Sequence, residues 1–150
     1  MSELDQIMSI MDASFEPHWR EAWTRQQVEN SLAMPHTYAI LIDENGCSPP
    51  AEDTASGFVL SRRAPGEEEL LLIAVMPEYR GRGLGRKLID LFAESALSQG
   101  AQQIFLEMRA NNPAESLYRA CGFAPIGRRR DYYRTLSGTA LDAITFGRKL

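Results

Sequence analysis

Val75-Met76-Pro77-Glu78-Tyr79-Arg80-Gly81-Arg82-Gly83-Leu84-Gly85-Arg86 is the stretch on which the reading of this chain turns. It follows an apolar run, Leu70 to Val75, that reads as a strand, and it precedes an amphipathic helix starting near Gly83. Gly81, Gly83 and Gly85 strip side chains from this strand-to-helix turn. Its backbone N–H groups are then free to approach a phosphate closely. The helix dipole adds roughly half a positive charge at the same point. Arg80, Arg82 and Arg86 add full charges around it. The turn is expected to hold a polyphosphate, in the first instance a pyrophosphate.

Other glycine-rich turns fit less well. A P-loop ends in Gly-Lys-Ser/Thr, whereas Gly85 is followed by Arg86-Lys87-Leu88, with no hydroxyl for magnesium. The dinucleotide fingerprint places a third glycine where this chain has Arg86. On spacing alone, a tight turn with no ligand stays open.

A chain of 150 residues is one domain by size. Its hydrophobic fraction of 44% and charged fraction of 24% are ordinary for a soluble globular protein. A net charge of −4 argues against general nucleic-acid binding. Basic residues nevertheless cluster at Arg80–Lys87, which suits an anionic ligand, and at Arg128–Arg134, which reads as a solvated face. Cys47 and Cys121 are far apart and show no metal-ligand pattern, so reduced thiols and no metal are expected. Met1-Ser2-Glu3-Leu4-Asp5 lacks an apolar signal core, and the longest apolar run, Leu70 to Met76, is too short to cross a bilayer. The expectation is a cytoplasmic protein, monomeric or weakly dimeric, with no membrane partner.

Ile7, Ile10, Met11 and Ser14 predict a first helix over residues 3–14. Thr24 is placed to cap a second, which Pro35 ends. Tyr38 to Asp43 and Gly57 to Arg63 read as a hairpin around a mobile loop at 44–55. Leu84, Leu88, Leu91, Phe92 and Ala96 recur at helical spacing until Gly100. Gln103 to Met108 is the next strand. Asn112 is placed to cap a short helix through Ala120, with Pro113 in its first turn. Phe123 to Arg130 and Leu141 to Arg148 read as the last strands. The strand, helix and strand around Leu84 form a βαβ unit, so those two strands should be parallel. The fold class is α/β, a mixed sheet flanked by helices.

Arg80-x-x-Gly83-x-Gly85 resembles the acetyl-CoA-binding signature of the GCN5-related N-acetyltransferases (GNAT). Downstream, Asn111, Ala114, Leu117-Tyr118 and Gly122-Phe123 resemble that family's Asn-x-x-Ala-x-x-Leu-Tyr-x-x-x-Gly-Phe segment. The resemblance implies a central, mostly antiparallel sheet whose parallel strand pair splays to admit the coenzyme's pantetheine arm. It implies a coenzyme site at Ala74, Val75, Arg80, Gly81, Arg82, Gly83, Leu84, Gly85, Arg86, Asn111 and Tyr118, with a backbone N–H near Ala74 and Val75 polarising the thioester carbonyl.

Glu107 is an acid within the apolar strand Ile104-Phe105-Leu106-Glu107-Met108. It reads either as a general base for the substrate amine, directly or through water, or as a carboxylate that faces solvent or pairs with Arg109. Tyr118 reads by itself as a core aromatic; the resemblance implies a general acid beside the leaving sulfur. Cys121 reads as packing, and His18 and His36 as surface or structural residues.

Arg129-Arg130-Asp131-Tyr132-Tyr133 and Asp142-Ala143-Ile144 resemble elements of the ribosomal-protein-alanine acetyltransferase branch, and Phe15, Trp19, Trp23 and Thr24 resemble its first interhelical loop. This implies an acceptor site at Phe15, Trp19, Glu107, Tyr132 and Tyr133 for a protein N-terminus, with the N-terminal alanine of a small-subunit ribosomal protein preferred. Amine basicity agrees: an α-amine of pKa about 7.7–8.0 is neutral far more often at pH 7 than a lysine of about 10.4. Two features depart from the branch: the interval Glu107–Tyr118 is one residue shorter, and the loop at 44–55 is longer. A small-molecule amine or a lysine as acceptor, or a non-catalytic acyl-CoA-binding module, remain the alternatives.

Overall fold

The computed structural model describes residues 2–49 and 55–150. In chain order the elements are α1 (Glu3–Ser14), α2 (Arg25–Leu32), β1 (Thr37–Ile42), β2 (Gly57–Ala64), β3 (Glu67–Val75), α3 (Leu84–Ser98), β4 (Gln103–Arg109), α4 (Glu115–Ala120), β5 (Ala124–Arg134) and β6 (Ala140–Lys149). Both N-terminal helices start on reciprocal capping boxes, Ser2 with Asp5 and Thr24 with Gln27. Each box satisfies orphan N–H groups that the helix itself leaves unpaired. In α3 the buried residues Leu84, Leu88, Ile89, Phe92, Ala93 and Ala96 form one apolar stripe.

The strands form one six-stranded sheet in the order β1-β2-β3-β4-β6-β5. Only the β3–β4 pair is parallel, because α3 carries the chain back between them. One core, with Phe92, Ile104 and Phe146, lies between the sheet and α3. A second, with Ile7, Ile10 and Phe58, lies on the opposite face under α1 and α2.

Three elements differ from the sequence expectation. β3 begins at Glu67, since Glu67, Glu68 and Glu69 already pair with β2 and β4. The buried Glu68 is tolerated there because Tyr38 and Arg63 both donate to it. α4 begins at Glu115; Asn112 instead accepts from the Ala114 N–H at 2.9 Å, so it holds a turn. β5 runs on to Arg134, with its register broken between Arg129 and Tyr133 and Asp131 at φ 53°. Of the loop at 44–55, residues 50–54 lie outside the described residues. The start of that loop is a turn in which Asp43 accepts from Asn45 and Cys47.

The feature that makes the site is a bulge. Across β2 and β3, Leu60 opposes Leu72 and Ser61 opposes Leu70, which leaves Leu71 without a partner. The extra residue changes which face the following side chains take. Leu70 packs in the α3 core, whereas Leu72 and Ala74 pack in the α1 core. Parallel pairing of β3 with β4 ends at the same place, at Leu70↔Leu106. Beyond it β3 stays bound to β2, and β4 stays bound to β6. Two strands pinned on their outer edges therefore leave a gap between their C-terminal ends.

Candidate active site

The gap opens into a cleft of about 1530 Å³ walled by the ends of β3 and β4, the turn before α3, the segment between α1 and α2, and β5. Ala74 and Val75 line it. The N–H of Met76 bonds the Ser56 carbonyl across β2 at 2.8 Å. Alternation along the strand then puts the Val75 N–H on the other edge, toward the gap. The Val75 carbonyl accepts from Ser14 Oγ at 3.2 Å.

Gly81 and Gly83 sit at φ 77° and 81°, in the left-handed region. Gly83 is the N-cap of α3 and supplies no capping side chain. The first N–H groups of the helix thus point outward without a side-chain acceptor. The space above Gly81 and Gly83 is open, with no atom within 4 Å of where a Cβ would stand. An open cradle of uncapped N–H groups fits a pyrophosphate. Gly85 has a different job: a Cβ there would lie 3.1 Å from Leu117, so this glycine lets α3 and α4 approach. Leu84 is buried in the core.

Arg80 and Arg86 line the cleft. Arg80 also donates to the Ser14 carbonyl at 3.1 Å and so ties the turn to the end of α1. Arg82 lies outside the wall, its guanidinium 5.2 Å from the centre of the Tyr79 ring.

Glu107 and Tyr118 face the same cleft. The Glu107 side chain is 21% exposed and lies 3.4 Å from Arg129, whose own side chain is 61% exposed. The sequence reading offered Arg109 as a partner for Glu107; the structure gives Arg109 to Glu21 instead, at 3.0 Å. Tyr118 is 6% exposed and packs edge-on against Phe123 at 6.0 Å. Burial first, then the negative fields of Glu21 and Cys121, push its hydroxyl pKa far above the usual phenol range. Among the described residues that hydroxyl makes no side-chain hydrogen bond.

Of the residues expected at an acceptor, Phe15, Trp19 and Tyr133 line the cleft; Asn111, expected at the coenzyme, lines it too and adopts φ 71° in the turn after β4. Tyr133 is half-buried, and desolvation, followed by Glu107 and Glu21, pushes its pKa up to about 12. Tyr132 stands outside, exposed and edge-on to Tyr133 at 5.2 Å. Cys121 is buried and unpaired, its thiol pKa raised chiefly by burial. Among the described residues no group of His, Cys, Asp and Glu could hold a metal ion. No helix among them is long and apolar enough to cross a membrane.

Glu21, Arg109 and Arg129 were not among the residues expected at the site. Period-two alternation was a usable signal for Arg109, which shares a strand face with Glu107. Nothing local marks Glu21, which lies between Trp19 and Trp23 just past a single 3₁₀ turn.

Residues 4–123 match the family described as the acetyltransferase (GNAT) family. The chain is 35% identical over 133 residues to the N-alpha-acetyltransferase RimI of Mycobacterium tuberculosis, covering 85% of this chain and 76% of that protein. It is 36% identical over 89 residues to the [ribosomal protein bS18]-alanine N-acetyltransferase of Salmonella typhimurium, covering 59% and 60%. The crystal structure of the ribosomal-protein-S18-alanine N-acetyltransferase from Escherichia coli superposes with a TM-score of 0.82 at 24% identity, covering 98% of this chain and 87% of that one. With the splayed parallel pair, the open glycine turn and a family match that spans both, this chain belongs to the GNAT family of acetyltransferases.

Proposed function

We propose that the protein transfers the acetyl group of acetyl-CoA to the α-amine of a protein N-terminus, with the N-terminal alanine of a small-subunit ribosomal protein as the preferred acceptor. The observation that carries this reading is a carboxylate, Glu107, and a buried phenol, Tyr118, on the walls of one cleft at the open ends of β3 and β4. The names of the relatives above point to the same acceptor class.

Acetyl-CoA supplies an activated acyl group and a sulfur that leaves readily. The N–H groups at the start of α3, with Arg80 and Arg86 beside them, are the groups that would hold its pyrophosphate. The Val75 N–H faces the gap, where a donor stabilises charge developing on a carbonyl oxygen. Glu107 takes a proton from the acceptor amine at a carboxylate oxygen, directly or through a water. Its partner Arg129 is exposed and held at 3.4 Å, so an incoming ammonium can displace it.

Tyr118 keeps its proton at every physiological pH, because burial disfavours the phenolate. A phenol held this firmly is a weaker acid than a thiol of pKa about 8.5, so complete transfer to the sulfur is uphill. Its part is to donate a hydrogen bond to that sulfur as it departs. The acceptor side is framed by two segments that touch: the Leu136 N–H donates to the His18 carbonyl at 3.0 Å. A bridged rim favours a chain threaded from its end over the middle of one.

The test is a panel of peptides with free or blocked α-amines, some containing lysine, incubated with acetyl-CoA and read by mass. Acetylation of free N-termini, with alanine first among them, is expected. Equal modification of lysine in a blocked peptide, or no release of CoA thiol with any peptide, refutes the reading.

A further inference from the structure

We propose that Arg109 and Glu21 are positioning residues: together with Trp19 they lock the segment between α1 and α2 in place as a wall of the acceptor groove. The inference rests on the peptide-acceptor reading above and adds residues that the site's chemistry did not require.

Arg109 is the last residue of β4 and is 5% exposed. A buried guanidinium is costly unless its charge and its donors are met. Three groups meet them here. Nε donates to Glu21 at 3.0 Å, Nη1 donates to the Asn111 carbonyl at 2.8 Å, and the guanidinium lies 3.7 Å from the centre of the Trp19 ring. Two of the three come from the segment between the helices.

Between its ends, where Phe15 and Trp23 pack on the core under α1, that segment has few other contacts to hold it. It contains one 3₁₀ turn, Pro17–Trp19, and Arg20 follows at φ 56°. Beyond the helix caps, its remaining hydrogen bonds to the rest of the fold are the Trp23 N–H to the Met11 sulfur at 3.2 Å and the Leu136 N–H to the His18 carbonyl at 3.0 Å. Yet it supplies Phe15, Trp19 and Glu21 to the cleft wall. Phe15 is placed by the core under α1, and where Trp19 and Glu21 stand is decided by Arg109.

The Glu107–Arg129 and Glu21–Arg109 pairs therefore do different work. Glu107 and Arg129 separate easily, since Arg129 reaches water. Glu21 and Arg109 cannot separate without stranding a buried cation. The first pair yields to the substrate; the second holds the frame that receives it.

Two variants test this, Glu21→Gln and Arg109→Lys. Glu21→Gln removes the countercharge. Arg109→Lys keeps the charge but loses the planar stacking on Trp19 and the second bond to Asn111. Hydrogen exchange of the apo proteins is read over residues 15–24, with α3 as the internal control. Steady-state kinetics with the best peptide give KM and kcat separately.

The expected result is faster exchange in 15–24 with α3 unchanged, and a peptide KM raised roughly tenfold to a hundredfold. The acetyl-CoA KM, and kcat at saturating peptide, stay within about twofold, as loss of uniform acceptor binding requires. The double variant should be no worse than the worse single one, since both act through one segment. Unchanged exchange in 15–24 in both variants overturns the lock. An unchanged peptide KM, or an acetyl-CoA KM that moves as far, overturns the positioning role. A wild-type protein that modifies no peptide overturns the acceptor reading itself, and the exchange data tell that failure from failure of the lock.

Discussion

Replacing Tyr118 by phenylalanine separates the two readings of this residue, because its hydroxyl and its ring do unrelated things. The ring is 6% exposed and packs edge-on against Phe123. Truncation to alanine would leave a cavity and cost about 3–5 kcal/mol. Phenylalanine keeps that packing. The hydroxyl makes no side-chain hydrogen bond among the described residues, so its loss strands no partner. The change in stability should stay within about 1 kcal/mol. For a chain of this size that is a shift of about 2–4 °C in Tm. Acetyl-CoA affinity should hold within about twofold, since the turn before α3 is untouched. Catalysis is another matter. General acid–base contributions run at about 10²–10⁴-fold, and a readily leaving sulfur puts this one at the low end. The expectation is a kcat about a hundredfold lower, close to 2.7 kcal/mol in barrier. Single-turnover acetylation of a peptide, with a parallel thermal melt, gives both numbers. A variant that melts like the parent and keeps its turnover refutes the hydroxyl's role; one that loses turnover only in proportion to folded protein makes Tyr118 a core aromatic.

Glu107→Gln should cost turnover about 10²–10⁴-fold while acetyl-CoA still binds, measured by calorimetry beside kinetics; undiminished rates across neutral pH would remove it from the mechanism. Gly83→Ala forces a left-handed backbone on a residue with a Cβ, at about 1–2 kcal/mol. It should lower Tm by a few degrees and weaken acetyl-CoA binding, which melts with and without the ligand compare; equal stabilisation by ligand in both proteins would mean the turn does not hold it. The tyrosines give a pH test with a definite sign. Tyr133, at about 12, and Tyr118 and Tyr38, both raised, keep their protons longer in the folded state than in the unfolded one. Their contribution to stability is full below about pH 10 and is lost as pH rises through the folded values. Tyrosinate absorbance should show Tyr38, Tyr118 and Tyr133 ionising above the ordinary phenol range, and Tyr133→Phe should flatten the alkaline fall in stability. Titration of these three near pH 10 would contradict the burial.

Much of the fold was legible because its determinants act between near neighbours. The Ser2 and Thr24 boxes close over three residues, the α3 stripe repeats every three to four, and the glycine turn lies within one short stretch. The parallel pairing followed from a strand, a helix and a strand in succession, since a right-handed crossover allows little else. Where such rules compete, the boundaries moved: the strand expected from Leu70 begins three residues earlier, at Glu67, because pairing on both sides outweighed the glutamates' low strand propensity.

By itself the sequence determined the glycine cradle, the helix that opens behind it and the placing of Glu107 and Tyr118 on consecutive elements. Tertiary structure alone decided that Leu71 bulges where β3 leaves β4, and that Glu107 meets Arg129 while Arg109, two places along its own strand, goes to Glu21. Backbone preferences are local and so are written in adjacent residues. A buried charge instead accepts whichever opposite charge the whole fold delivers to it, and for Arg109 that is Glu21, 88 positions away along the chain.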